Sequence, residues 1–230
     1  MKYSVIILAA GSGKRTGLNH NKILQKIKGK RVIDFSLDFF KNDINCHEII
    51  LVSSKIDYDY FSSEFKQSNI KVVLGGLTRT DSVRFALNKA VNEYILIHDG
   101  ARPFFNSDSV SNLLNILEKN DSVTLGVRVK ETIQEIDGDN IIKTLDRSNL
   151  IITQTPQGFK KDLLLKAHNL ALKDGYSGTD DTVLLEKYLN IKENNGRNIN
   201  ISRCISKRKR SILYWRKTCN LRCGYHRPSS

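Results

Sequence analysis

A glycine-rich segment, residues 9–17, follows directly on a short apolar run at residues 3–8. Glycines and small residues allow backbone N–H groups to approach phosphate oxygens closely. Arg15, and Lys22 just beyond, add fixed positive charge. The segment therefore indicates a site for the phosphates of a nucleotide. The contact residues expected in it are Ala9, Ala10, Gly11, Ser12 and Gly13.

Two common phosphate-loop patterns do not fit this segment. A Walker A loop requires glycine at the place of Leu8 and serine or threonine at the place of Arg15. A dinucleotide-binding loop requires glycine at the place of Thr16. The loop of nucleotidyltransferases that act on sugar phosphates remains, with a structural turn carrying incidental basic residues as the alternative.

A second polar segment, residues 75–82, begins with paired glycines after another apolar run. Paired glycines allow the backbone to meet a flat ligand, such as the edge of a nucleobase. Arg79 and Ser82 lie near the start of the helix expected next, where anions are favoured. Gly76, Arg79 and Ser82 are interpreted as nucleotide contacts, although Gly-Gly turns are also common in purely structural loops.

In a third segment, residues 98–103, an acidic residue, Asp99, comes at the end of an apolar strand. Asp99 is there a candidate ligand for a Mg²⁺ ion that bridges triphosphate oxygens. The alternative for such an aspartate is a helix cap or a turn. Arg102 is a candidate phosphate ligand, and His98 is interpreted as structural.

Two later segments add candidate substrate contacts. Arg147, in the segment 145–150, is a candidate phosphate ligand. Thr155 and Gln157, in the segment 154–159, are interpreted as contacts for substrate hydroxyl groups.

Strand and helix patterns alternate along the chain and must position these residues. Strands are expected at 3–8, 48–53, 70–74, 94–97 and 123–129, and helices at 32–40, 81–91, 107–117, 161–173 and 180–189. Asp81, Ser107 and Thr179 are the expected helix caps. The alternation predicts an α/β fold, a mostly parallel Rossmann-like sheet with helices on both faces. Ligands bind beyond the carboxyl ends of such strands, where the three polar segments lie.

Residues 132–145 interrupt the alternation. Asp137-Gly138 between two β-favouring stretches is a hairpin signal. The hairpin predicts an arm of about residues 130–147 that projects from the sheet. The arm is interpreted as a dimerisation element, with a plain surface hairpin as the alternative.

Composition limits the class of protein. The 40% hydrophobic and 27% charged content is typical of a soluble domain, expected to span residues 1–202. No apolar run approaches the roughly 20 residues that a membrane span requires. The first apolar run is too short for an export signal and leads into a loop. A cytoplasmic location is therefore expected, with neither a membrane nor a nucleic acid as partner.

The net charge of +13 is concentrated in the tail, residues 203–230. This tail contains nine Lys or Arg and no acidic residue, so the rest of the chain carries only +4. It also holds three of the four cysteines, whose spacing with His226 matches no common zinc module. The tail is interpreted as a translated frameshift. The alternatives are a basic extension that binds nucleic acid or a membrane surface through residues 207–210, and a disordered segment with no role.

Taken together, the segments resemble the 2-C-methyl-D-erythritol 4-phosphate cytidylyltransferase family. The resemblance runs from about residue 3 to about residue 196. Seven segments occur in the family's order: LAAGSGKRTG, GGLTRTDSV, HDGARPF, VRVKETI, LDRSNL, QTPQGF and GTDDTVLLE. The resemblance implies a homodimeric transferase that uses CTP, a polyol phosphate and Mg²⁺.

The resemblance also implies roles for individual residues. Arg15 and Lys22 would stabilise charge developing at the α-phosphate and are the catalytic pair. Thr132 and Arg147 would contact the methylerythritol phosphate from the arm of the partner subunit. Asp99 would be the Mg²⁺ ligand. The cytidine and triphosphate contacts would be Ala9, Ala10, Gly11, Gly76 and Ser82.

The chain departs from the family pattern at several places, of which the one at position 21 is interpreted as tolerable and the one at position 200 as a loss of a substrate contact. Asn21 stands where proline commonly precedes the lysine, and Asn200 stands where a lysine contacts the substrate. Two other functions stay open. One is a cytidylyltransferase for another polyol phosphate, such as ribitol 5-phosphate, and the other is a catalytically impaired protein whose basic tail binds nucleic acid.

Overall fold

A computed structural model of the chain describes residues 1–11 and 21–190 in full, together with the backbone of residues 199–203. The strands in these residues are β1 (Tyr3–Ala9), β2 (Lys26–Ile27), β3 (Lys30–Arg31), β4 (Cys46–Ser53), β5 (Ile70–Leu74), β6 (Tyr94–Asp99), β7 (Ser122–Arg128), β8 (Ile133–Asp137), β9 (Asn140–Leu145), β10 (Ile151–Lys160) and β11 (Ile199–Arg203). The helices are α1 (Val32–Asn42), α2 (Tyr58–Glu64), α3 (Arg79–Leu87), α4 (Ser107–Leu117), α5 (Lys161–Lys173) and α6 (Asp181–Leu189).

Seven strands form one sheet in the order β11-β7-β10-β6-β1-β4-β5. The pairs β1–β4, β1–β6, β4–β5 and β11–β7 are parallel, and only β10 runs antiparallel to its neighbours β6 and β7. The predicted mostly parallel α/β sheet is thereby confirmed. β10 was not expected as a strand, because its polar residues and Pro156 interrupt the apolar pattern.

Helices cover both faces of the sheet, as the alternation predicted. Tyr3, Val5 and Ile7 of β1 pack towards the face covered by α1, α2 and α4. Ile6 points to the opposite face, which is covered by α3, α5 and α6. This period of two is that of a strand buried on both sides.

The expected cap of α3 is wrong by three residues. Thr78 has an extended backbone, and its side chain accepts a hydrogen bond from the backbone N–H of Asp81. In return, the Asp81 carboxylate accepts a hydrogen bond from the backbone N–H of Thr78, and the two bonds together form a capping box. Helix α3 therefore begins at Arg79 and includes the residues that the sequence placed in the preceding loop.

The caps of α4 and α6 each lie one residue from the expected position. Asn106 rather than Ser107 caps α4, and Asp180 rather than Thr179 caps α6. In both cases the local run contains two adjacent residues that can cap a helix. The backbone conformation decides between them, and sequence does not show it.

The predicted hairpin is present as the antiparallel pair β8–β9, joined at Gly138, where φ is +56°. Residues 131–144 are exposed, so the hairpin forms an arm. No helix in the part of the chain that the structure describes is long and apolar enough to cross a membrane. Residues 204–230, almost the whole predicted tail, lie outside the described residues, so the division into a domain and a tail stays a prediction.

Candidate active site

A cleft of about 960 Å³ opens at the carboxyl edge of the sheet. Its volume is typical of a site for a small molecule, which is roughly 300–1,000 Å³. Loops after β1, β5 and β6 form its walls, together with the first part of β10. Ile152, Thr153 and Gln154 line the cleft because β10 pairs with β6 only from Gln157 onward.

The cleft brings together most of the site residues predicted from sequence. Those that line it are Ala10, Gly11, Lys22, Gly76, Arg79, Ser82, Asp99 and Arg102. Ala9 is buried directly behind them at the end of β1. Thr132 and Arg147 are exposed at the base of the arm and are not among the lining residues. Ser12, Gly13 and Arg15 lie outside the described residues.

Lys22 is placed by its neighbour Asn21, whose importance sequence reasoning missed. Asn21 is buried, and its Nδ2 donates to the backbone oxygen of Ala9 at 2.8 Å and to Asp57 Oδ2 at 3.0 Å. Ser54 Oγ also donates to Asp57 Oδ2, at 2.8 Å. Through Asn21, the backbone that carries Lys22 is therefore held both to the end of β1 and to the segment that follows β4.

The glycines after β5 are explained by close contacts within the protein. A Cβ on Gly75 would lie 2.8 Å from Ala10 Cβ, and one on Gly76 would lie 2.3 Å from Asp81 Cβ. Either atom would force the loop away from its neighbours. The Ser82 hydroxyl accepts from the Gly76 N–H at 3.1 Å and donates to the Thr78 carbonyl at 2.9 Å. The loop thus has a fixed shape before any ligand binds.

Asp99 ends β6 at the floor of the cleft. Its carboxylate Oδ2 lies 2.9 Å from Arg102 Nε. Its backbone N–H donates to Thr155 Oγ1 at 3.2 Å. Thr155 is largely buried and lies behind Asp99 rather than on the cleft surface, so in this structure its hydroxyl supports the position of Asp99.

His98 is fully buried beneath this floor. Its ring nitrogens lie 3.0 Å from Ser36 Oγ and 3.2 Å from Thr155 Oγ1. Burial lowers the pKa of His98 to about 4, so the ring is neutral near pH 7. The structural role expected for His98 agrees with this position.

Gln157 does not fit the interpretation as a hydroxyl contact. Its side chain is fully buried, and Nε2 donates to Thr124 Oγ1 at 3.1 Å and to both carboxylate oxygens of Asp180. The side chain therefore joins β10 to β7 and to the cap of α6. The sequence expectation fails because β10 was not recognised as an internal strand.

Comparisons with known proteins point to a single family. The family model for 2-C-methyl-D-erythritol 4-phosphate cytidylyltransferase matches residues 3–203, some way beyond the end of the resemblance found in the sequence. Proteins of that name from Clostridioides difficile and Bacillus velezensis are 35% and 39% identical to this chain. The alignments cover 87% of this chain and 92% of the first relative, and 81% of this chain and 83% of the second.

Solved structures give the same result. The 4-diphosphocytidyl-2C-methyl-D-erythritol synthase from Anaerococcus prevotii has a TM-score of 0.74 at 30% identity, covering 87% of this chain and 88% of that one. The 2-C-methyl-D-erythritol 4-phosphate cytidylyltransferase of Francisella tularensis has a TM-score of 0.74 at 27% identity, covering 95% and 100%. The similarity therefore extends over nearly the whole sheet.

The contacts of Asn21 generate a prediction about Lys22. We expect Asn21→Ala to lower the rate of nucleotidyl transfer by about tenfold, because it removes the buried hydrogen bonds, at a cost of roughly 1–3 kcal/mol, and leaves the backbone before Lys22 without a constraint in their place. Asn21→Pro loses the same hydrogen bonds but should retain most of the rate, because φ at Asn21 is −62° and the proline ring imposes about −65°, which fixes the backbone before Lys22. Steady-state kinetics on both variants measures this difference.

The matched control is Asn42→Ala, which removes an exposed asparagine whose Nδ2 donates to the carbonyl of Asp38 at the end of α1. It should leave the rate unchanged. A wild-type rate in Asn21→Ala, or equal losses in the alanine and proline variants at position 21, would contradict the role assigned to Asn21.

Proposed function

The chain belongs to the 2-C-methyl-D-erythritol 4-phosphate cytidylyltransferase family, and on that premise we propose that it transfers the cytidylyl group of CTP to 2-C-methyl-D-erythritol 4-phosphate. The reaction yields the CDP-methylerythritol product and pyrophosphate, a step of non-mevalonate isoprenoid biosynthesis. The observation that carries the proposal is the cleft, where Lys22, Arg79 and Arg102 meet Asp99 on loops that the family model covers.

The reaction is an in-line substitution at phosphorus. A phosphate oxygen of the methylerythritol phosphate forms a bond to the α-phosphorus of CTP. The bond from that phosphorus to the oxygen bridging the β-phosphate breaks, and pyrophosphate leaves with the electron pair. No covalent enzyme intermediate is required, so catalysis depends on positioning the two substrates and on cations that stabilise the charge at the five-coordinate phosphorus.

Lys22 is the described residue to which this stabilisation is assigned, together with Arg15, which lies outside the described residues. We expect Lys22→Ala to lower turnover by roughly 10²–10³-fold, the usual effect of losing one group that stabilises transition-state charge. Pyrophosphate release measured with CTP and methylerythritol phosphate tests this, with circular dichroism as the check that the fold is retained. Near-normal release by Lys22→Ala would refute the assignment.

The same assay, run on the unaltered protein, tests the substrate. Methylerythritol phosphate should be used with a far higher kcat/KM than ribitol 5-phosphate. A preference for ribitol 5-phosphate would show that the proposed acceptor is wrong, although the proposed transfer of a cytidylyl group from CTP would still hold. Absence of pyrophosphate release with either acceptor would overturn the proposed function.

A Mg²⁺ ion is proposed as the cofactor, and Asp99 as the residue that would hold it. The described residues contain no cluster of three or more His, Cys, Asp or Glu that could hold a metal by themselves. A single carboxylate is nevertheless suitable, because Mg²⁺ is usually bound by one or two carboxylates together with substrate phosphates and water. When bound, the ion would neutralise part of the triphosphate charge. Thr155 fixes the backbone of Asp99, and Arg102 orients its carboxylate.

Metal removal tests this proposal. Activity should disappear with excess EDTA and return on addition of Mg²⁺. Asp99→Asn should require at least about tenfold more Mg²⁺ for half-maximal activity, because it loses the charged ligand. An unchanged Mg²⁺ requirement in Asp99→Asn would exclude Asp99 as the ligand.

A homodimer is proposed through the arm. A lone two-stranded hairpin is marginally stable in water. This arm also exposes four isoleucine side chains, with exposed fractions of 37% to 63%, at Ile133, Ile136, Ile141 and Ile142. A second copy of the chain would cover these side chains and would bring Thr132 and Arg147 to the neighbouring cleft. Such an arrangement would account for the fact that neither residue is among those lining the cleft of its own subunit.

Charged substitutions on the arm test the dimer. The variant Ile136→Lys/Ile141→Lys, at two residues paired across β8 and β9, should sediment as a monomer and lose activity. The control Ile44→Lys alters an isoleucine that is 83% exposed in the turn before β4, and it should keep both the dimer and the activity. A double variant that remains dimeric would contradict the proposed interface.

Mixing two inactive variants tests whether the site is shared. Lys22→Ala and Arg147→Ala subunits, mixed in equal amounts and allowed to exchange, would form heterodimers with one intact site. In a two-fold symmetric dimer the mixture should then recover about a quarter of the wild-type activity. No recovery, with subunit exchange verified, would place Arg147 at the cleft of its own subunit.

We also propose a cytoplasmic location for the reaction. The N-terminal apolar run forms β1, which lies within the sheet between β4 and β6. This position supports its interpretation as a structural strand of the folded enzyme.

A further inference from the structure

The GTDDTVLLE segment matched the family in sequence but received no role there. In the structure it contains the start of α6, which begins at Asp181. Thr179 of the same segment lines the cleft. The hydroxyl of Thr80 on α3 forms hydrogen bonds with the loop that precedes α6, to Ser177 Oγ at 3.3 Å and from the Gly178 N–H at 3.1 Å. The segment is therefore attached to the helix that carries Arg79.

Asp181 is a buried carboxylate that lies between the guanidinium group of Arg79 and the imidazole ring of His168. Its side chain is 1% exposed. One oxygen, Oδ2, lies 2.6 Å from Arg79 Nη1, and the other, Oδ1, lies 3.0 Å from Nε2 of the fully buried His168 on α5. Burial alone would raise the pKa of Asp181, but Arg79 and His168 outweigh it and lower the pKa. The carboxylate is therefore ionised at neutral pH.

Arg79 connects this buried charge to the cleft. Its side chain is 28% exposed and lines the cleft beside Gly76 and Ser82. It is also the first residue of α3, where the helix dipole disfavours a cation. Asp181 offsets that cost and holds one edge of the guanidinium. The planar group has five donors in a fixed fork, so donors remain for an anion in the cleft.

We propose that Asp181, oriented by His168, is a positioning residue that fixes Arg79 for contact with the CTP phosphates. A long arginine side chain loses rotational freedom when it binds a ligand, and this loss opposes affinity. An arginine already held by a buried carboxylate has lost that freedom in the free enzyme. This inference rests on the proposed function, because it takes CTP as the ligand of the cleft.

The test is a double-mutant cycle on the affinity for CTP. Asp181→Asn should raise KM for CTP by about tenfold, while kcat and KM for methylerythritol phosphate change by less than about twofold. Arg79→Gln, which keeps a donor towards Asp181, should raise KM for CTP at least as much. In the Arg79→Gln background, Asp181→Asn should add nothing, because Asp181 acts only through Arg79.

A second buried carboxylate provides the matched control. Glu48 on β4 is 5% exposed, lies near the amino end of its strand, and accepts from Ser4, Lys71 and the Val91 N–H. Glu48→Gln should lower Tm as Asp181→Asn does, but it should leave KM for CTP unchanged. Loss of stability alone is thereby separated from loss of positioning.

His168 gives a further pair of variants should Asp181→Asn not fold. His168→Gln keeps a donor near the position of Nε2, and His168→Leu removes it. KM for CTP should rise in the leucine variant and stay near the wild-type value in the glutamine variant.

Three results would overturn the inference: an unchanged KM in Asp181→Asn, additive effects in the cycle, or equal KM values in the two His168 variants. Failure of the unaltered enzyme to use CTP would instead refute the proposed function.

Discussion

Backbone groups at the ends of the parallel strands need hydrogen-bond partners that the sheet itself does not supply, and the cleft is built from the side chains that supply them. Asn21 donates to the Ala9 carbonyl at the end of β1. Thr155 accepts from the N–H of Asp99 at the end of β6. Buried backbone polar groups are almost always paired. Each of these bonds also fixes a neighbouring side chain of the cleft, so satisfying the backbone and shaping the site are one requirement.

Two buried carboxylates show how position decides whether such a group serves stability or the site. Glu48 and Asp181 each have several partners, and in each case these partners outweigh burial and lower the pKa. Removing a single partner of a buried charge is strongly destabilising, so both clusters constrain the fold. Only the Asp181 cluster includes a residue of the cleft, Arg79. Its geometry is therefore transmitted to the ligand, whereas that of Glu48 stays within the strands.

The sequence predicts the parts of this protein whose signals are local. Apolar runs of four to six residues identified β1, β5 and β6, and the polar residues after them do meet at one edge of the sheet. The start of α3 was misplaced because Thr78 and Asp81 form a reciprocal cap. A sequence pattern shows that both residues can cap, but it does not show which backbone is extended.

The residues that sequence reasoning missed depend on contacts between distant segments. Asn21 meets Asp57, and Asp181 meets Arg79 and His168, only after the sheet has formed. Gln157 was misjudged for the same reason, since its burial follows from β10 entering the sheet between β6 and β7. No periodicity or spacing along the chain marks such pairs. The family match names the segments, and the structure is needed to show which side chains face the ligand.

The departures from the family pattern at positions 21 and 200 lie in different parts of the fold. Asn21 lies directly beside it, and its hydrogen bonds hold the backbone where a proline ring would do so by fixing φ. Asn200 lies on β11, where its backbone pairs with Val123 of β7. Two strands, β7 and β10, separate β11 from β6, and the described residues that line the cleft all precede residue 180. Among the described side chains, the cleft is thus assembled from the segments that follow β1, β5 and β6, from the start of β10 and from Thr179 before α6.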